Sequence, residues 1–125
     1  MTTYRILVTG SRRWTDHDLV RHDLSKLPRH FNCRPDQVII VNGIARGLDS
    51  IARAIALELG MQVEDHPADW DTYGKAAGHR RNRAMVEAGA VGAIAYPLGE
   101  SKGTRGCMAL CATAGIPVWN RGDVL

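Results

Sequence analysis

The residues of this chain that could do chemistry sit where short apolar runs break into glycine-bearing polar loops. The four junctions are Gly10-Ser11-Arg12-Arg13, Asn42-Gly43-Ile44-Ala45-Arg46-Gly47, the long segment from Asp65 to Gly78, and Gly99-Glu100-Ser101-Lys102-Gly103-Thr104. A helix-like stretch follows each. Glycine lets the chain turn and lets a ligand approach the backbone. The helix start beyond it offers free N–H groups and partial positive charge. This is chemistry suited to an anion, phosphate above all. In the first loop Ser11 adds a hydroxyl, and Arg12 or Arg13 a guanidinium that can grip phosphate as a fork. An ordinary turn with solvated arginines fits those residues equally well. The fourth loop is the strongest local signal, because Gly103 and Thr104 stand at a strand-to-helix junction. Neither loop has the G-x-G-x-x-G or Walker A order.

Asp49, in the first turn of the helix after Gly47, is suited to accept hydrogen bonds from ribose hydroxyls. It is equally suited to be an acid placed at a helix start by the dipole. Arg81 falls with Ala84, Met85 and Ala88 at i, i+3, i+4 and i+7, which predicts a stripe facing the sheet, with Arg81 near the helix start. A charge there must be paired or face a polar cleft, so Arg81 reads as a ligand group or half of a structural salt bridge. Trp70, beside Asp69 in the third loop, can stack on a base or cap the core. His79 borders the expected cleft, but no spacing pairs it with a nucleophile.

The elements that must position these residues follow from hydrophobic periodicity. Strands are predicted at Tyr4–Thr9, Gln37–Val41, Gln62–His66, Val91–Tyr96 and Ile116–Trp119. Helices are predicted at Asp16–Pro28, Leu48–Leu59, Lys75–Glu87 and Thr104–Ala114. Pro28 and Pro35 are expected to bracket a loop. The alternation implies a mainly parallel sheet with helices on both faces. All four junctions then share its carboxyl edge.

At 125 residues the chain is expected to be one domain, with 45% apolar and 23% charged residues, ordinary for a globular protein. No apolar run approaches the roughly 20 residues that span a membrane, and no membrane partner is expected. The N-terminus enters a strand at once and does not read as a signal peptide. Three cysteines without framework spacing predict reduced thiols and a cytoplasmic setting. Cys107 and Cys111 share a helix face as small hydrophobes, too few for a metal site. A net charge of +3 favours anionic ligands only weakly. The aromatics are few and do not alternate with basic residues, so nucleic acid is not expected as a partner.

Together, Gly10-Ser11-Arg12, Gly43-x-x-x-Gly47-x-Asp49, Ala68-Asp69-Trp70, Gly74-Lys75-Ala76-Ala77-Gly78, Arg81-Asn82-x-x-Met85 and Gly103-Thr104-Arg105-Gly106 resemble the YspA-related family of the SLOG superfamily, found in bacteria and phages. The resemblance covers nearly the whole chain and is most specific from Ala68 to Met85. It implies an α/β, Rossmann-like three-layer sandwich with a mainly parallel five-stranded sheet over residues 1–125. It also implies a nucleotide-type ligand, a nucleoside phosphate or an ADP-ribose-type molecule, at the carboxyl edge, without cofactor or metal. The implied site is Gly10, Ser11, Arg12, Gly43, Gly47 and Asp49, with Asp69, Trp70, Arg81, Asn82, Gly103 and Thr104. Superfamily relatives allow a homodimer.

The alternative is N-glycosidic hydrolysis, as in the related LOG phosphoribohydrolases. Their Arg-x-x-x-Met element matches Arg81 and Met85. Their Pro-Gly-Gly-x-Gly-Thr-x-x-Glu element falls on Pro97 through Cys107, in a longer loop. Cys107 replaces the glutamate that takes part in cleavage, so no catalytic residue is assigned; Glu100 or Asp69 would have to substitute. Single-strand binding, as in the relative DprA, is the least supported reading.

Overall fold

A computed structural model describes residues 1–124. Its five strands are β1 (Tyr4–Gly10), β2 (Val38–Asn42), β3 (Gln62–Asp65), β4 (Gly92–Tyr96) and β5 (Val118–Asn120). They form one parallel sheet in the order β3-β2-β1-β4-β5. The parallel sheet expected from the alternation of elements, and the Rossmann-like sandwich that the resemblance implies, are therefore the architecture observed. β1, β2 and β4 are covered on both sides, which is why they read as continuous apolar runs rather than alternating ones.

The pleat divides the sheet between two cores. On one face Ile6, Val8, Ile40, Ile94 and Tyr96 meet α1 (His17–Ser25), α2 (Leu27–Phe31) and α3 (Leu48–Glu58). On the other, Leu7, Val41 and Ala93 meet α5 (Ala77–Glu87) and α6 (Lys102–Thr113). α3 buries Leu48, Ile51, Ala52, Ile55 and Ala56, a helical stripe at i, i+3, i+4, i+7 and i+8. Asp16 starts α1 by accepting from the Leu19 N–H at 3.0 Å, as an N-cap should.

Three local readings need correction. Pro28 does not open a loop. It sits in the first turn of α2, where its missing N–H would have had no partner. The segment after β3 is not one long loop, because it holds α4 (Trp70–Tyr73) and a 3-10 turn at Gly74–Ala76. In α5 the buried side is Ala77, Asn82, Met85 and Val86, while Ala84 and Ala88 are exposed. Alanines are small enough to face either way, so they misplaced the stripe by part of a turn.

Strand order reverses between β1 and β4. Chains leave those strands in opposite directions, and a crevice opens beyond their carboxyl ends. Gly10 pairs with Tyr96 at that point, and the Ser11 N–H donates to the Tyr96 carbonyl at 3.0 Å.

Candidate functional site

Two adjoining cavities lie at this edge, of about 730 and 330 Å³. Arg12, Ala45, Trp70 and Arg81 line both. Gly10, Ser11, Asp49, Asn82, Gly103 and Thr104 line the larger one, and Gly43 the smaller. The distant glycine turns thus converge on one place. Gly47 and Asp69 line neither cavity.

Those two residues have structural tasks. Gly47, with φ +72°, packs so closely on the first loop that a Cβ would overlap the Arg12 carbonyl. The Asp69 carboxylate accepts from the Thr72 N–H at 3.1 Å and caps α4. Gly10 is also a packing residue. A Cβ there would overlap the Leu48 side chain and Tyr96 Cβ, so it admits α3 rather than a ligand. Gly103 has open space where a Cβ would stand.

Arg81 is the centre of the arrangement. Its Nη1 donates to the Gly43 carbonyl and, at 3.5 Å, to the His66 carbonyl, while Nε donates to Asn82 Oδ1 at 2.7 Å. Gly43 is glycine for this reason: any Cβ would occupy the guanidinium's place. Asn82, itself buried, also donates to the Gly103 carbonyl at 3.4 Å and so links α5 to the start of α6. Among the described residues Arg81 forms no ion pair. Its Nη2 has no hydrogen-bond partner among them. Burial pulls its pKa below the ordinary arginine value, and the nearby Asp49 carboxylate pushes back.

Asp49 is only 6% exposed. Its Oδ2 accepts from the Gly43 and Ala45 N–H groups, each at 3.2 Å, which holds the loop between β2 and α3 in shape. Asn42 Oδ1 fixes the same loop by accepting from the Ile44 N–H at 2.8 Å. Ile44 needs such support, because it is a β-branched residue at φ +51°. Burial pushes the Asp49 pKa up to about 6, against the Ala45 N–H bond and the charges of Arg81 and Arg12.

Trp70 is 49% exposed, so it does not cap the core. It stands between the cavities with the Arg12 guanidinium 5.8 Å from its ring centre. Trp14, by contrast, is buried edge-on against Tyr96. At the end of β4, the N–H groups that open α6 have no side-chain cap, and Ser101 donates to Thr104 Oγ1 at 3.1 Å. Cys107 is buried beside Thr9 and Cys111. The bond with Cys111 and burial both push its thiol pKa up.

Sequence reasoning missed Arg46 and Lys75 as lining cations, since nothing local separates them from solvated ones. It also missed Asn42, whose place just before Gly43 at a strand end is an Asx-turn signal. Among the described residues no three His, Cys, Asp or Glu side chains cluster as metal ligands.

The family profile described as "YspA, cpYpsA-related SLOG family" matches residues 4–73. The chain belongs to this YspA-related SLOG family. A family relative, the Gene 61 protein of Mycobacterium phage D29, is 45% identical over 124 residues, covering 95% of this chain and 97% of that protein. The YspA-related chain is therefore similar to a phage-encoded protein over nearly all of its length. Among the described residues no helix is long and apolar enough to cross a membrane.

Two solved structures share the fold. DNA processing protein A (DprA) from Streptococcus pneumoniae superposes with a TM-score of 0.76 at 20% identity, over 98% of this chain and 52% of that one. DprA from Helicobacter pylori gives 0.67 at 18% identity, over 95% of this chain and 65% of that one. The YspA-related chain thus spans between about half and two thirds of these proteins. The Helicobacter protein's structure is described in terms of its single-stranded DNA binding mode. This corrects the expectation that nucleic acid is not a partner. Sparse aromatics do not argue against it when a protein of the same fold binds single strands.

Proposed function

We propose that the carboxyl edge of the sheet binds a phosphate-bearing nucleotide-type ligand. One observation carries the reading: Arg81 is held by backbone carbonyls and Asn82 in the wall shared by both cavities, and among the described residues no carboxylate is in ion-pair contact with it, although the Asp49 charge lies nearby. A partly buried guanidinium with a free edge attracts an anion strongly, because water screens it poorly. The uncapped start of α6, with Thr104, supplies further donors to the larger cavity. Trp70 offers an open ring for a base. Cys107 stands where the phosphoribohydrolases carry a glutamate, and its thiol is buried. The proposal is accordingly binding rather than glycosidic cleavage.

The test is calorimetric titration of wild type and Arg81→Ala with AMP and with ADP-ribose. The substitution is expected to weaken binding by about 1–3 kcal/mol, the size of a charged hydrogen bond. Unchanged affinity overturns the proposal.

A second reading is favoured by the single-strand binding described for the Helicobacter protein. Here the ligand would be the phosphate backbone of a single strand, tracked by the cations that rim the cavities. Its signature is steep salt dependence.

A further inference from the structure

The cavities carry several cations and hydroxyl donors, but two carboxylates, Asp49 and the exposed Glu100, also line the larger one, and the binding of phosphate leaves the buried Asp49 unexplained. Asp49 is more than nine-tenths buried. Its Oδ2 is fully used by the Gly43 and Ala45 N–H groups, but Oδ1 has no hydrogen-bond partner among the described residues. No fully buried side-chain oxygen or nitrogen among them lacks a partner. Oδ1 therefore reaches the open space of the larger cavity, which Asp49 lines. A role confined to the helix dipole or to loop shape accounts for Oδ2 alone.

A carboxylate oxygen that opens into a cavity with no protein donor accepts from whatever fills that cavity, water or ligand. A fully ionised phosphate carries no proton and cannot supply one. A ligand that displaces water from Oδ1 must therefore place a neutral donor beside its phosphate. A base edge of the guanine kind presents two adjacent N–H donors, which suit a carboxylate with both oxygens free; here a single oxygen is free. The sugar is the part of a nucleotide next to the phosphate, and its hydroxyls are single donors.

We infer that Asp49 is a specificity residue that accepts a hydrogen bond from a free sugar hydroxyl. The site then takes ribonucleotide-type ligands in preference to those whose sugar hydroxyls are absent or esterified. The inference rests on the proposed binding of a nucleotide phosphate at Arg81.

The test pairs each of the four nucleoside 5′-monophosphates with its 2′,3′-dideoxy form, titrated calorimetrically against wild type, Arg81→Ala and Asp49→Asn. Wild type is expected to prefer the ribose form at least tenfold, the usual penalty for a buried charged acceptor left unpaired. Arg81→Ala should weaken both members of a pair alike and keep their ratio. Asp49→Asn can keep its carbonyl oxygen on the two backbone N–H groups and turn its NH₂ toward the cavity. The ratio should then fall to near one, with the dideoxy form still bound. Thermal melting of Asp49→Asn confirms that the variant is folded.

Equal binding of both forms by wild type overturns the inference, while the nucleotide reading stands if Arg81→Ala weakens both. An oligodeoxyadenylate bound more tightly than AMP also overturns it, since its internal sugars offer no free hydroxyl. Failure of all four monophosphates to bind overturns the inference and the reading together.

Discussion

Asp49 shows how one residue can be a liability to the fold and an asset to the site. Its carboxyl is held near pKa 6 instead of the usual 3.8, chiefly by burial. The folded protein therefore binds that proton more tightly than the unfolded chain does. The resulting stabilisation is complete below pH 3.8 and is lost as the pH rises to about 6. Over that span the difference amounts to roughly 2–3 kcal/mol. The groups facing Asp49 are the Arg81 and Arg12 charges and the Gly43 and Ala45 N–H groups. Asp49→Asn resembles the protonated form, so it should unfold at higher urea than wild type at pH 7 and at the same urea at pH 4. Equal midpoints at pH 7 would show that the carboxylate is better solvated than its burial indicates. A residue that weakens its own fold at neutral pH suits a selected role in the cavity.

At the scale of elements, the site depends on α3 seating closely over the end of β1. The Leu48 N–H donates to the Ser11 carbonyl at 3.1 Å, and the Leu48 side chain fills the space a Cβ would take at Gly10. Gly10 has no positive φ, so close packing alone explains it. Gly10→Ala is expected to lower stability by about 1–3 kcal/mol, the usual cost of overpacking a core. Urea unfolding measures this directly. The same shift would move Asp49, one residue after Leu48, so ligand affinity should fall with stability. The middle of α5 and the start of α6 are joined by Asn82 through its bonds to Arg81 and Gly103. Arg81 and the start of α6 therefore line one cavity side by side.

At the scale of the molecule, the sheet sorts structure from chemistry. The two apolar cores lie above and below the strands, and the lining cations gather beyond the carboxyl ends. Arg12, Arg13, Arg46, Lys75 and Lys102 are exposed there. A mononucleotide engages few of them, so its log affinity should fall with log salt at a slope of about −1. A single strand spanning most of them should give a slope of roughly −3 or steeper. Fluorescence titration across a salt series separates the two readings.

Much of this protein is written locally in its sequence. Apolar runs such as Ile6-Leu7-Val8, the Asp16 cap and the Leu48-to-Ala56 stripe depend on neighbours a few residues away. Strands, helices and their alternation are legible for that reason, and the parallel sheet follows from the alternation. Pro28 and the alanines of α5 misled because each fits two local settings, and only packing chooses between them. What the tertiary structure alone decided is the meaning of the polar residues. Gly43 is glycine because of Arg81, 38 positions later. Asp69 and Gly47 serve the backbone, although their motifs resemble those of a binding site. Asp49 holds one oxygen back from the loop and leaves it to the cavity. Such roles are set by which atoms lie within about 3 Å of one another, and the folding of distant segments into contact creates those distances.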